Sequence, residues 1–300
     1  MTDNKTMSKI TLDQLNAVPA AEFIAALGDI FEHSPWVAEA ASRARPFATV
    51  AALHEAMLAA IASVPEPQQL AFLCAHPELA GLQARQGQMT TASTAEQASL
   101  GLQALPRTDT ETFARLNAAY RTRFGFPFII CVRHNTRDAI VARFEQRLQN
   151  EPAAELATAT AEIAAISRLR LVGKVTGPGL PKISGHLSTH ILDTAHGRPA
   201  RGVRFELHQA GPRGDGLILS AVTNHDGRTE SPLIFDQPLR IGAYTLRFHI
   251  GDYFRQLGVA TADPAFYDII TVSFSIAEPT GHYHVPLLVS PWGYTTYRGS

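Results

Sequence analysis

The chain has 300 residues, 45% of them hydrophobic and 18% charged, with a formal net charge of −1. That length exceeds one typical domain and suits two, and the composition excludes global disorder. The balanced charge supplies no bulk field for nucleic acid or an anionic membrane, so neither is expected as a partner.

From the first residue, Met1 to Met7 is polar and has no apolar core of a secretory signal. No stretch reaches the ~18 apolar residues that span a bilayer. The closing Arg298-Gly299-Ser300 is not a Ser-Lys-Leu peroxisomal address, so the cytoplasm is the expected compartment. Cys74 and Cys131 lie far apart in apolar sequence and read as buried small hydrophobes of a reduced protein.

The first half is Ala-rich and reads in helical period. Thr49 is placed to cap a helix to about Ser63, with Val50, Leu53, Met57 and Ile61 on one face. Phe113, Leu116 and Tyr120 repeat the spacing, as do Ile140, Phe144 and Leu148 after an Asn135-Thr136 start. A longer helix is predicted from about Pro152 to Arg170. Pro35, Pro46, Pro65, Pro77, Pro106 and Pro127 punctuate this half at intervals that suit six to eight helices. The segment Gly173 to Pro181, rich in Gly and Pro, is the natural linker.

After Leu171 the period becomes two. Val203, Phe205 and Leu207 alternate with polar neighbours. So do Tyr244, Leu246, Phe248 and Ile250; Ile270, Val272, Phe274 and Ile276; and Tyr283, Val285, Leu287 and Val289. Turn signals at Ala210-Gly211-Pro212, Asn224-His225-Asp226-Gly227, Ile241-Gly242 and Glu278-Pro279-Thr280-Gly281 separate them, which predicts a β-sandwich. One short helix is expected at Asp252 to Leu257.

The same counting puts His186, Ser188 and His190 on one face of a first strand, and His282 and His284 on one face of the last clear strand. Arg228 follows the Asn224–Gly227 turn, and the chain closes on Tyr297-Arg298-Gly299-Ser300. If the two strands meet, imidazoles from both line one surface. The histidines equally suit a solvated sheet face. They also suit a zinc site of His190, His282 and His284, for which no nearby carboxylate or thiolate offers a fourth ligand.

In the first half, His76 ends a helix before Pro77, and Ser93-Thr94-Ala95-Glu96-Gln97 could cap and open the next one. A loop histidine facing a helix-start glutamate makes an acid–base pair. A C-cap histidine and a capping-box glutamate would look the same.

Longer runs carry resemblances. Leu187-Ser188-Thr189-His190-Ile191-Leu192-Asp193-Thr194 resembles the opening signature of the transthyretin-like 5-hydroxyisourate hydrolases. Thr223-Asn224-His225-Asp226-Gly227-Arg228, His282-Tyr283-His284-Val285-Pro286-Leu287-Leu288-Val289-Ser290-Pro291 and Tyr297-Arg298-Gly299-Ser300 resemble their later motifs, in the same order. The resemblance implies a catalytic set of His190, Arg228, His284 and Ser300, with Tyr297 against the substrate and no metal. It also implies a homotetramer like that of transthyretin, with sites where dimers meet and the tail ordered by a neighbouring subunit. An imidazole with its pKa near working pH suits activation of water, and a guanidinium suits a planar, oxygen-rich ureide. Transthyretin itself, a hormone carrier, gives the alternative: a small-molecule binding protein with an inactive helical domain.

Glu32-His33-Ser34-Pro35-Trp36-Val37, His76-Pro77-Glu78-Leu79-Ala80, Ser93-Thr94-Ala95-Glu96-Gln97 and Phe124-Gly125-Phe126-Pro127-Phe128-Ile129-Ile130-Cys131-Val132-Arg133 resemble 2-oxo-4-hydroxy-4-carboxy-5-ureidoimidazoline (OHCU) decarboxylase. By that resemblance His76 is the proton donor and Glu96 polarises the substrate hydroxyl. Pro77, Ser93, Gln97 and the backbone of Phe128, Ile129, Ile130, Cys131 and Val132 hold the substrate, and Arg133 contacts its carboxylate or ureido group. No cofactor is implied, because the electrons left by CO2 delocalise into the adjacent ring C=N. Dimer contacts through this domain would add to those of the sandwich. The expectation is therefore a multidomain α and β chain. An all-α OHCU decarboxylase domain spans 1–170, a linker 171–182, and a transthyretin-like hydrolase sandwich 183–300. Its substrates would be 5-hydroxyisourate and OHCU, and its product (S)-allantoin.

Overall fold

The computed structural model describes residues 9–81, 89–211 and 216–299. They divide into two units. One comprises residues up to 133 with 140–182, and the other 134–139 with 183 onward.

The first unit is helical, apart from the short strand β1 (Ile10–Thr11). Its helices are α1 (Leu12–Ala17), α2 (Ala20–Leu27), α3 (Pro35–Ser42), α4 (Val50–Ser63), α5 (Glu66–Cys74), α6 (Thr91–Ala98), α7 (Arg107–Phe124), α8 (Arg137–Arg147) and α9 (Pro152–Lys174). Thr49 caps α4 as its sequence predicts, its hydroxyl accepting from the Ala52 N–H at 3.0 Å. Val50, Leu53, Met57 and Ile61 are all buried, which is the helical stripe read from their spacing. Pro35 opens α3, while Pro65 and Pro106 sit at the N-caps of α5 and α7. Nine helices, counted among the described residues, exceed the six to eight expected because α1 and α2 both fit ahead of Pro35. Cys131 is buried as predicted, but Cys74 is exposed, its thiol donating to the Gly125 carbonyl at 3.4 Å.

Helix α9 continues four residues past Arg170, and β2 (Val175–Thr176) then pairs in parallel with β1. Val50 N–H donates to the Pro178 carbonyl at 2.9 Å, and a Cβ on Gly179 would lie 2.6 Å from Thr49 Cβ. The glycine there serves close packing against the cap of α4 rather than freedom of the chain.

The second unit is a β-sandwich. Strands β3 (Gly185–Asp193), β4 (Arg198–Pro199), β5 (Arg204–Gln209), β6 (Gly216–Val222), β7 (Ile234–Gln237) and β8 (Gly242–His249) are followed by helix α10 (Ile250–Gln256). Then come β9 (Ile269–Ile276), β10 (His282–Ser290) and β11 (Gly293–Thr296). One sheet runs β11-β10-β3-β4 with β7 also on β3, and the other runs β6-β5-β8-β9. Leu187, Ile191, Phe205, Leu207, Leu246, Phe248, Leu287 and Val289 fill the space between them. Helix α10 starts two residues earlier than expected, so Ile250 belongs to it rather than to the preceding strand, and stays buried.

Strands β3 and β10 lie side by side, parallel, with His282 opposite His186, His284 opposite Ser188 and Pro286 opposite His190. Inward residues of β3 are buried and the polar alternates half-buried, so the imidazoles share the outer face of one sheet.

Candidate active sites

In the helical unit, α5 stops before Pro77 and leaves His76 just past its C-cap. The His76 ring stands edge-on to Phe72 with centroids 5.4 Å apart. Its Nδ1 lies 3.2 Å from the Phe72 carbonyl, which can only accept, so Nδ1 carries the proton and Nε2 does not. Burial pushes the His76 pKa down to about 4, and the Arg170 charge adds to that. His76 is therefore a neutral imidazole at neutral pH.

Helix α6 is capped by Thr90, whose hydroxyl accepts from Ser93 N–H, and not by Ser93. That moves Ser93, Glu96 and Gln97 into the helix, where spacings of three and four put them on one face. All three line a cleft with His76, Pro77, Leu79, Phe128, Ile129, Ile130, Val132, Ile166 and Arg170. Gln97 fixes the loop after His76: its amide oxygen accepts from Ala80 N–H at 3.0 Å and its amide nitrogen donates to the Glu78 carbonyl at 3.3 Å.

Arg170, on α9, is the hub of the cleft. It grips Glu96 with two hydrogen bonds, 2.9 and 2.8 Å, and donates to Ser93 Oγ at 3.0 Å. It also reaches Glu32 at 3.3 Å and the Ile30 carbonyl at 3.4 Å, which engages all five of its N–H groups. Glu32 is fully buried. Burial alone would raise its pKa, but hydrogen bonds from Ser93 and Thr90 and the Arg170 charge hold it below the usual carboxylate value.

The backbone wall of the cleft is clamped from behind. Arg147 donates to the Ile129 carbonyl at 2.8 Å while paired with buried Glu155 at 2.6 Å. Glu162 accepts from Cys131 N–H at 2.7 Å, and Phe128 stacks on Phe144 at 3.8 Å. Two of the expected substrate contacts are placed differently. Cys131 is packed in the wall with its N–H already taken by Glu162, and it does not line the cleft. Arg133 lines a separate, adjoining cavity.

In the sandwich, the turn Asn224–Gly227 docks on β3 next to His190. Ile191 N–H donates to the Gly227 carbonyl at 2.8 Å, and Asn224 Oδ1 accepts from Asp226 and Arg228 N–H groups. Gly227 has φ +69°, and a Cβ there would sit 2.3 Å from the Ile191 oxygen, so only glycine brings the turn this close. The docking delivers Arg228 to the histidine face. Burial and then the Arg228 charge lower the pKa of both His190 and His284, and His190 further lowers that of His284. These three predicted residues thus share one site.

A hydrogen bond to the Asp226 backbone fixes the His190 ring, and its Nε2 is buried with no hydrogen-bond partner among the described residues. His284 Nδ1 is 2.9 Å from Ser188 Oγ. The chain end crosses this surface: Gly299 N–H donates to the His284 carbonyl at 2.9 Å, and a Cβ on Gly299 would lie 2.5 Å from the imidazole. Tyr297, Arg298 and His284 line a cavity of about 240 Å³ along β9 and β10. Ser300 lies outside the described residues. Among the described residues no group of His, Cys, Asp and Glu has the arrangement of a metal site.

Sequence reasoning left four contributors without a role: Ser188, Glu32, Arg147 and Arg170. Ser188 carried a signal, since period two puts it beside His190. Arg170 carried none, because it meets Glu96 across 74 residues of chain.

A helical unit with a buried His–Glu–Arg cleft, joined in one chain to a transthyretin-like sandwich with a His–Arg–His surface, defines a two-unit protein of known kinds. Residues 16–172 match the OHCU decarboxylase family and residues 187–299 the HIUase/transthyretin family; the chain belongs to both. The sandwich end is 51% identical over 120 residues to a 5-hydroxyisourate hydrolase of Deinococcus radiodurans, covering 39% of this chain and 100% of that protein. The helical end is 45% identical over 165 residues to an OHCU decarboxylase of Haloferax volcanii, covering 55% of this chain and 96% of that one. A solved structure of an (S)-allantoin synthase is 36% identical, covers 97% of this chain and 100% of its own, and has a TM-score of 0.53.

Proposed function

We propose that the chain is a bifunctional enzyme of urate breakdown, which hydrolyses 5-hydroxyisourate to OHCU on the sandwich and decarboxylates OHCU to (S)-allantoin in the helical cleft. The observation that carries this reading is the likeness of the chain, over 97% of its length, to an (S)-allantoin synthase. Transthyretin-like binding without chemistry is not favoured, because a carrier has no need of two neutral histidines held against a guanidinium.

In hydrolysis His190 is the base. The Asp226 backbone contact holds its ring for taking the proton of the attacking water. Arg228 offsets the charge that develops on the carbonyl oxygen. His284, held by Ser188, orients the water, and likeness to the hydrolase family puts Tyr297 against the substrate and Ser300 in the catalytic set.

In decarboxylation His76 starts as an acceptor, since Nδ1 holds its proton. Nε2 takes the hydroxyl proton of the substrate as the carbon–carboxylate bond breaks and CO2 leaves. The released electron pair moves onto the ring nitrogen, which is protonated from solvent. The imidazolium then returns its proton to the neighbouring ring carbon from one side, which sets the (S) configuration. Glu96, its carboxylate held in place by Arg170, accepts from the substrate hydroxyl on binding, before that proton turns to His76.

The same reading includes a cytoplasmic enzyme and a homotetramer built through the sandwich. Exposed aromatic Trp292, Tyr294 and Tyr297, close together in the chain, support an interface there. No helix of the described residues is long and apolar enough to cross a membrane. The test is to feed fresh 5-hydroxyisourate to the purified chain and follow absorbance with circular dichroism. Faster conversion than in buffer, to product of one hand, is expected; racemic product at the spontaneous rate would contradict the reading.

A further inference from the structure

The adjoining cavity that Arg133 lines measures about 410 Å³, against about 40 Å³ for the cleft with His76. Sites for small molecules run to roughly 300–1,000 Å³. The outer cavity has that size. Glu96 and Arg170 stand in the walls of both, so the two spaces meet at this ion pair.

The outer cavity favours an anion. Its lining has three cations, Arg133, Arg170 and Lys174, against two carboxylates, Asp29 and Glu96. Lys174 is paired with Asp29 at 2.5 Å and Arg170 with Glu96 at 2.8 Å. Arg133, half-buried, has no hydrogen-bond or ion-pair partner among the described residues, so its charge is the uncompensated one.

Its wall is also kept clear at exposed Gly173. Gly173 lies inside α9, where glycine is the poorest helix former after proline. A Cβ there would meet nothing within 4 Å, so packing does not demand the glycine. What the glycine leaves is open cavity.

We propose that this outer cavity is an antechamber of the decarboxylase site, in which Arg133 captures the substrate carboxylate before the substrate passes the Glu96–Arg170 pair. The inference rests on the decarboxylase reading of the inner cleft. It gives Arg133 a role in capture rather than in the reacting complex.

The test uses the full chain and freshly generated OHCU. Gly173→Phe fills the antechamber from a position with room for the ring, and Arg133→Gln removes the capturing charge. Each is expected to lower kcat/KM about tenfold with kcat within about twofold of wild type. Arg133→Lys, which keeps the charge, is expected within about threefold of wild type. The rise of kcat/KM at low salt should flatten in Arg133→Gln. Gly173→Ala, too small to fill the space, should keep the wild-type rate and melt at a higher temperature. Wild-type kcat/KM in folded Gly173→Phe and Arg133→Gln would overturn the antechamber. So would loss of kcat at unchanged KM in Arg133→Gln, which would put that side chain at the reacting atoms. Arg133→Gln, at a half-exposed position, keeps the test independent of how Gly173→Phe folds. A wild-type chain that does not decarboxylate OHCU at all would sink the reading of the cleft instead, so the two failures are distinct.

Discussion

The two units solve the same problem, holding neutral imidazoles near a guanidinium, in opposite settings. In the helical cleft His76, Glu32 and Arg170 are almost wholly buried, and residues from 32 to 170 converge on them. On the sandwich, His190, Ser188 and His284 are half-buried on the face of two paired strands, with Arg228 exposed on a docked turn. A buried charged site ties chemistry to folding, because each ion needs its partner. A site on a regular sheet face can lose a group with little cost to the fold.

The largest effect expected from this contrast is at Arg170. Arg170→Met leaves Glu32 and Glu96 without their cation, at a cost of roughly 3–5 kcal/mol of helical-unit stability. Decarboxylation should disappear while hydrolysis persists. Chemical denaturation with both half-reactions assayed checks it, and an unaltered helical transition would break the contrast.

Acid is the next probe. Burial lowers His76, and also His54, from 6.5 to about 4. Folded-state values below the unfolded one mean stability that is fully present above pH 6.5 and lost as pH falls toward 4. Each group contributes on the order of 3 kcal/mol. The sandwich histidines are lowered too, but they are only half-buried and solvent screens them, so they should count for less. Melting followed by helical circular dichroism should therefore fall steeply between pH 6.5 and 4, ahead of the sandwich signal. Parallel loss in both would blur the distinction.

The contrast also explains what the sequence disclosed. Period two alone placed His186, Ser188 and His190 on one face and His282 and His284 on another, because alternation in a strand fixes direction. The meeting of those strands, and the docking of Arg228 through Gly227, are long-range events that periodicity does not encode. In the helical half, caps and stripes such as Thr49 with Val50, Leu53, Met57 and Ile61 were readable for the same local reason. Arg170 was not: an arginine on a helix looks solvated until Glu96 and Glu32 fold against it. Ser93 reads as a cap in the sequence, but Thr90, three residues earlier, offers the same hydroxyl chemistry and takes that position.

Smaller effects sharpen the picture. Ser188→Ala removes the hydrogen bond that orients His284 and should cost about tenfold in hydrolysis, near 1.4 kcal/mol, with decarboxylation unchanged. Steady-state rates on 5-hydroxyisourate check it; an equal loss in both reactions would point to a general fault in folding. Thr49→Ala should cost about 1 kcal/mol of helical-unit stability through the lost cap, read as a lower denaturation midpoint with neither rate changed.

The most direct test is the His76→Asn chain supplied with 5-hydroxyisourate and followed by absorbance and circular dichroism together. The account predicts hydrolysis at the wild-type rate, accumulation of OHCU that decays only spontaneously, and racemic product. Slowed hydrolysis, or product still of one hand, would contradict two self-sufficient sites on one chain.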